Sequence, residues 1–189
     1  MSDFNTEEDN WICISLTIPS PPFLSKTISD IVCILVPDSA APSVFNKKIK
    51  YDEILFNHCS GYFFKQNDCI ASKGLQRITV SLQKFGAIEL YNIHLDAGET
   101  KADRQARKNQ MQTITEYIKK ENHTNPIIIA GDFNMQLVDS DSMLYNFYKE
   151  LKLSTWELKD AGPLVDYIFI KNGRSLKINI INYRIEPTF

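Results

Sequence analysis

Apolar positions come in short runs separated by turn residues. Most runs are rich in Ile, Val, Phe and Tyr, which suit a pleated surface. The pattern predicts strands over 12–18, 31–36, 77–82, 87–95, 126–130, 166–170 and 176–184. The run Ile127-Ile128-Ile129 lies between Asn125-Pro126 and Gly131, as expected of a strand covered on both faces. Two stretches switch to a helical period. Over 100–121, Ala106, Met111, Ile114 and Ile118 fall near one stripe, while Arg104, Arg107, Lys108 and Lys119 lie mostly elsewhere. Over 140–151, Leu144, Phe147, Tyr148 and Leu151 form the apolar side of a second helix, with Asp139, Ser140 and Asp141 supplying capping oxygens. A weaker third helix is expected between the Pro19–Pro22 break and Asp30. Strands alternating with helices and hairpin-like pairs define an α/β layered domain. No linker or repeat divides residues 1–189, and residues 1–10 read as a flexible acidic tail.

With 189 residues, 43% of them hydrophobic, the chain can bury a core without a metal or disulfide as a staple. A charged fraction of 23% is too high for a membrane bundle and too low for a disordered chain. No apolar run reaches the length that spans a bilayer. The formal charge of −2 excludes a globally basic nucleic-acid wrapper but leaves room for a local patch. Lys101, Arg104, Arg107 and Lys108 cluster at the start of the long helix, which reads first as the solvated face of a helix. The N-terminus has neither the basic start nor the apolar stretch of a secretory signal. Cys13 and Cys33 sit inside apolar runs, and no cysteines form a CxxC pair. Cys13, Cys33, Cys59 and Cys69 are therefore expected as reduced thiols of an intracellular, cytoplasmic protein, with a Cys59–Cys69 bridge as the alternative.

Three segments carry candidate chemistry. In Tyr91-Asn92-Ile93-His94-Leu95-Asp96-Ala97-Gly98, strand alternation puts Asn92 and His94 on one face at the end of an apolar strand. In Ile129-Ala130-Gly131-Asp132-Phe133-Asn134, a buried strand delivers a carboxylate and an amide two residues apart. Such a pair offers hard oxygens and a donor, which suits water, a divalent cation or a phosphoryl oxygen; an Asx-turn leaving a strand is the plainer reading. In Leu164-Val165-Asp166-Tyr167-Ile168-Phe169-Ile170, an aspartate enters an apolar strand, where an acid often orients a histidine.

In this order, with Arg104-Gln105 in the intervening helix and Lys73-Gly74 ahead of the strand at 77, these segments resemble the endonuclease/exonuclease/phosphatase superfamily. His94-Leu95-Asp96-Ala97-Gly98 is most similar to its neutral-sphingomyelinase-like branch. The resemblance implies a DNase I-like fold, a four-layer α/β/β/α sandwich, and hydrolysis of phosphodiester or phosphomonoester bonds with Mg²⁺ or Mn²⁺. It implies that His94 stabilises or protonates a phosphate oxygen, Asp132 orients or deprotonates the attacking water, and Asn134 holds water or phosphate. Asp166 would brace a second histidine, and Asn92, Lys73 and Arg104 would contact the phosphate. In-line attack develops charge at both apical oxygens, which positioned donors and a cation must neutralise.

The chain also departs from that pattern. The family's metal-binding glutamate aligns with Val36, with Asp38 as the substitute ligand beside Asp132 and Glu53 as a looser one. Its first-strand asparagine aligns with Thr17. Its C-terminal Ser-Asp-His motif is not found before Phe189, and the histidines are His58, His94 and His123. Three expectations follow. One is a degenerate domain retained to bind a phosphate-containing ligand (phosphodiester, lipid head group or nucleic acid) or a protein partner. Another is an active metal-dependent phosphodiesterase with rearranged ligands. The third is a sheet left incomplete at its C-terminal edge, which invites a partner or homo-oligomer through that edge.

Overall fold

The computed structural model describes residues 11–18, 28–35, 45–61, 68–70, 73–82, 86–121, 124–137, 142–155 and 165–178. The acidic tail, the stretch 19–27 expected to hold a third helix, Val36, Asp38, His123, the capping residues 139–141 and the strand positions 179–184 lie outside them. Strand β1 (Trp11–Ile18) pairs antiparallel with β2 (Ile28–Leu35). Strands β3 (Phe45–Leu55), β4 (Gly74–Leu82), β5 (Gly86–His94), β6 (Ile127–Asp132), β7 (Ser154–Thr155) and β8 (Asp166–Lys171) build a six-stranded mixed sheet in the order β3-β4-β5-β6-β8-β7. Only β5 and β6 pair in parallel, so their connection must cross over, and helix α1 (Lys101–Lys120) is that connection. Helix α2 (Met143–Glu150) precedes β7.

Strand alternation divides the sheet's side chains between two faces. Leu75, Tyr91, Ile93, Ile127, Ile129, Tyr167 and Phe169 pack with Met111, Ile114 and Ile118 of α1 and Leu144 and Phe147 of α2. Phe133 sits at the centre, its ring edge-on to Phe169 at 5.3 Å. The opposite face carries Ile78, Val80, Ile88 and Leu90, against which Ile128, Leu176 and Ile178 pack.

Several expectations change. β3 was not anticipated, because Phe-Asn-Lys-Lys-Ile-Lys-Tyr-Asp-Glu-Ile-Leu is too charged to read as a strand. It is an end strand of the sheet, where charge is tolerated and guards against edge-to-edge pairing. β8 lies between β6 and β7, so the last described strand is not an open edge. Leu176 to Ile178 lie outside any strand. The cap of α2 is Ser142, whose hydroxyl accepts from the Tyr145 N–H.

The reduced-thiol expectation fails for two of the four cysteines: Cys59 and Cys69 form a disulfide. The cause is register. β3 and β4 stay paired to Leu55 and Gly74, and the Phe56 N–H donates to Lys73 O while the Cys69 N–H donates to Gly61 O. This folds the two chain segments back together and brings the Cα atoms to 5.1 Å, within bridging range. One argument for a reducing compartment is removed with it. No helix among the described residues is long and apolar enough to cross a membrane.

Candidate active site

The register of the sheet assembles the site. Gly74 pairs with His94, His94 with Asp132, and Asp132 with Asp166, so these four positions form one row across β4, β5, β6 and β8. His94, Asp132 and Asp166 therefore project on one face at one end of the sheet, the face opposite the helices. The parallel seam between β5 and β6 places His94 and Asp132 side by side, with His94 Nε2 3.9 Å from Asp132 Oδ2. Gly131 makes that seam close. Its φ is +141°, and a Cβ there would run into the Ile93 backbone.

Gly131-Asp132-Phe133-Asn134 turns outward and inward by alternation. Phe133 is wholly buried in the aromatic core and anchors the turn. Asp132 Oδ1 accepts the Asn134 N–H at 2.7 Å, an Asx-turn that takes Asn134 to a φ of +49°, a region asparagine tolerates. Asn134 Nδ2 donates to Leu95 O at 2.9 Å, which leaves its carbonyl oxygen as an acceptor. The turn reading and the site reading thus describe the same residues.

Lys73 precedes the row on β4 and is buried, its ammonium 3.3 Å from Asp68 Oδ1. Asp68 Oδ2 in turn accepts the Ala97 N–H. Burial, with help from the Lys73 charge, lowers the His94 pKa to about 4, against the opposing pull of Asp68 and Asp166. The imidazole is therefore neutral at neutral pH. Burial raises the Asp132 pKa, partly offset by the Asn134 N–H and Lys73. Asp166 is raised by desolvation first and by the Asp132 charge second. Among the described residues no histidine lies within ion-pair distance of Asp166.

Asn92 and Arg104 stand apart from the row. Asn92 is fully buried one pleat behind His94, where its Nδ2 donates to Gln76 Oε1. Arg104 is exposed on α1 and donates to Glu99 O. Arg107, expected on the solvated side of α1, is buried and holds Asp96 O and Gly98 O with one NH group. The structure also adds a group that sequence reasoning did not single out. Asp96 is fully buried, and no cation among the described residues lies within ion-pair distance of its carboxylate. It accepts the Ser60 N–H at 2.6 Å and Gln110 Nε2 at 2.6 Å, while Gln110 Oε1 accepts the Asp96 N–H. The visible signal was two polar residues, Arg107 and Gln110, flanking the apolar stripe of α1.

Metal ligands are sparse. No group of three or more His, Cys, Asp or Glu side chains among the described residues has metal-holding geometry. Among the described residues the hard donors at the row are Asp132 and Asp166, directly opposite on antiparallel strands, and the Asn134 carbonyl oxygen. That set suits Mg²⁺ or Mn²⁺ only with retained water, since Mg²⁺ binds through as few as one or two carboxylates plus phosphate oxygens. Glu53 pairs in register with Gln76 on β4, which puts it across β4 and β5 and two residues out of row from Asp132, about 16 Å away. It cannot share a cation with Asp132.

A helix-backed mixed sheet with His, Asp, Asn and Asp gathered at one end of the face opposite the helices is the DNase I-like α/β sandwich. The chain belongs to Endonuclease/Exonuclease/phosphatase family 2, whose profile matches residues 26–164. It is 24% identical over 149 residues to the sphingomyelinase of Mycobacterium tuberculosis (strain ATCC 25618 / H37Rv), a match covering 68% of this chain and 29% of that protein. Its fold is similar to the crystal structure of SmcL, with a TM-score of 0.51 and 23% identity over 67% of this chain and 51% of the other. A Bacteroides thetaiotaomicron endonuclease/exonuclease/phosphatase family protein superposes with a TM-score of 0.56 at 12% identity, covering 84% of this chain and 60% of the other. The chain thus spans less than a third of the curated relative it matches and about half of SmcL.

Proposed function

We propose that this chain binds a phosphate ester at the His94–Asp132–Asp166 row and hydrolyses it poorly or not at all. The observation that supports this reading is the row itself, which gathers one neutral imidazole and two carboxylates with Lys73 and Asn134 beside them. Lys73 faces anionic oxygens, His94 Nε2 meets a phosphate oxygen or its proton, the Asn134 carbonyl oxygen holds water, and Asp132 orients water. Among the described residues no histidine faces Asp166 and no third acidic ligand completes a cation shell, and groups that act as a unit lose most of their rate when one is missing. A bound Mg²⁺ or Mn²⁺ would neutralise charge on the phosphoryl oxygens, held by Asp132, Asp166 and Asn134. The lipid phosphodiester named by the sphingomyelinase relative is the first ligand to test, ahead of nucleic acid.

The second reading is an active divalent-metal-dependent phosphodiesterase. What favours it is the direct opposition of Asp132 and Asp166 across β6 and β8, which puts two carboxylates within reach of one cation. One experiment separates the two. Protein with Mg²⁺ or Mn²⁺ is presented with sphingomyelin vesicles, a chromogenic phosphodiester and DNA, beside Asp132→Ala and His94→Ala. We expect phosphocholine binding that both substitutions weaken at least tenfold, with turnover close to that of the variants. Turnover that both substitutions abolish overturns the binding-domain reading.

A further inference from the structure

Both cysteines of the bridge stand beside residues that grip one loop. Cys59 lies between His58 and Ser60, and Cys69 follows Asp68. On the first arm, the Ser60 N–H donates to Asp96 Oδ2 at 2.6 Å, and His58 O accepts Gln110 Nε2 at 2.7 Å. On the second arm, Asp68 Oδ2 accepts the Ala97 N–H at 3.0 Å. Asp96 and Ala97 are consecutive residues of the loop between β5 and α1. The two arms are joined to each other through the Cys59–Cys69 bond and by the Cys69 N–H on Gly61 O.

That loop leads directly out of His94. The Leu95 N–H donates to Asp132 O at 3.0 Å, and Leu95 O accepts Asn134 Nδ2 at 2.9 Å. The residue between His94 and the gripped pair therefore ties β5 to the Asp132 turn. Contacts on neighbouring residues, carried by linked arms, act as a bivalent clamp. While one contact holds, the other re-forms within the molecule at a high effective concentration. Cutting the link leaves each arm to hold on its own. Helix α1 keeps its grip meanwhile, since Arg107 donates to Asp96 O and Gly98 O, and Gln110 donates to Asp96 Oδ1. Opening the bridge thus loosens one side of the loop and leaves the sheet folded. Cys59 is exposed, so a reductant reaches the bond from that side.

We propose that the Cys59–Cys69 bridge is a redox-operated clamp on the loop behind His94, closed when oxidised and loosened by a dithiol. One thiolate of the dithiol attacks Cys59 Sγ and expels Cys69 as a thiolate. The second thiol then displaces Cys59 from the mixed disulfide. Two electrons and two protons pass from the dithiol to the cysteines, which end as thiols, and the reductant leaves as a disulfide. In the closed state the Asp96-Ala97 pair is fixed, and His94 stays seated beside Asp132. In the open state that order has to be restored at each binding event, and affinity falls. The fall in affinity rests on the phosphoester reading; the clamp is a property of the free protein.

Hydrogen exchange of assigned backbone amides in the full chain at pH 7, with and without dithiothreitol, reads the clamp without any ligand. The Ser60 and Ala97 amides are expected to exchange roughly tenfold faster in the reduced protein, while those of Ile129 and Phe133 keep their protection. The double variant Cys59→Ser with Cys69→Ser should match the reduced wild type and ignore the reductant. If that variant does not fold, the two redox states of the wild type decide the matter alone. Phosphocholine titrated into both states should bind severalfold more weakly to the reduced chain. Unchanged exchange at Ser60 and Ala97 overturns the proposal. So does a loss of protection spread evenly to Ile129 and Phe133, which would mark the bridge as a staple of the whole fold. Released amides with unchanged phosphocholine affinity overturn its link to the site. Should phosphocholine bind in neither state, the phosphoester reading fails, and exchange still decides the clamp.

Discussion

His94 shows how one side chain takes its character from its neighbours. Its folded pKa is about 4 against 6.5 for a free imidazole, with burial as the main cause. Between those values the unfolded chain takes up a proton that the folded protein refuses. The stability gained from His94 is complete above pH 6.5 and is lost as the pH falls towards 4. The loss is at most about 3 kcal/mol, and the raised pKa values of Asp132 and Asp166 work in the opposite direction over the acidic end of that window. Denaturant unfolding at a series of pH values should show His94→Gln flattening the fall between pH 6.5 and 4. An unchanged pH profile would show that His94 is freely solvated. Asn134 offers a cleaner separation of effects. Asn134→Ala loses the bond to Leu95 O and strains a positive φ, so it should cost about 1–2 kcal/mol. Asn134→Gly removes the bond without the strain, and a smaller loss is expected for it.

At the level of elements, local chemistry was legible where it was strong. The helix expected over 100–121 is α1 with Thr100 as N-cap and Glu121 as C-cap. Thr100 accepts from the Asp103 N–H, and Asp103 accepts from the Thr100 N–H. Thr100→Ala should lower stability by about 1 kcal/mol, read from the unfolding midpoint. The strands around Ile127 and Asp166 were legible because apolar runs and breakers agreed, although β6 continues past the expected end at Ala130 to Asp132. β3 was not, since its stability comes from a partner strand on β4 and not from its own composition. Gly131→Ala is a stringent test of the β5–β6 seam. With a Cβ forced against the Ile93 backbone, the variant should lose at least about 3 kcal/mol or fail to fold, whereas Gly86→Ala meets no atom and should lose less, through only the strain of its φ of +102°.

Across the whole molecule, the loop after β5 ties the site together. Leu95 O receives Asn134, the Asp96 carboxylate receives Ser60 and Gln110, and the Ala97 N–H reaches Asp68, which holds Lys73. The Cys59–Cys69 bridge lies in the segment that Asp96 anchors. Replacing both cysteines by serine releases a loop with a separation of 10 residues and should cost about 3 kcal/mol. Thermal unfolding with and without a dithiol reductant checks this: reductant should lower the midpoint of the wild type and leave the double-serine variant unmoved.

The residues at the heart of the site were readable from the chain itself. His94, Asp132 and Asp166 stand at strand ends, where period-two alternation and a polar residue in an apolar run announce themselves locally. Their order along the chain was enough to suggest a phosphoester-handling fold. The row that aligns His94, Asp132 and Asp166, the buried clamp of Asp96 and Gln110 and the disulfide were decided only by the tertiary structure. Each depends on which strands become neighbours and in what register. That choice is made by the packing of the whole sheet, and no local stretch of sequence carries it.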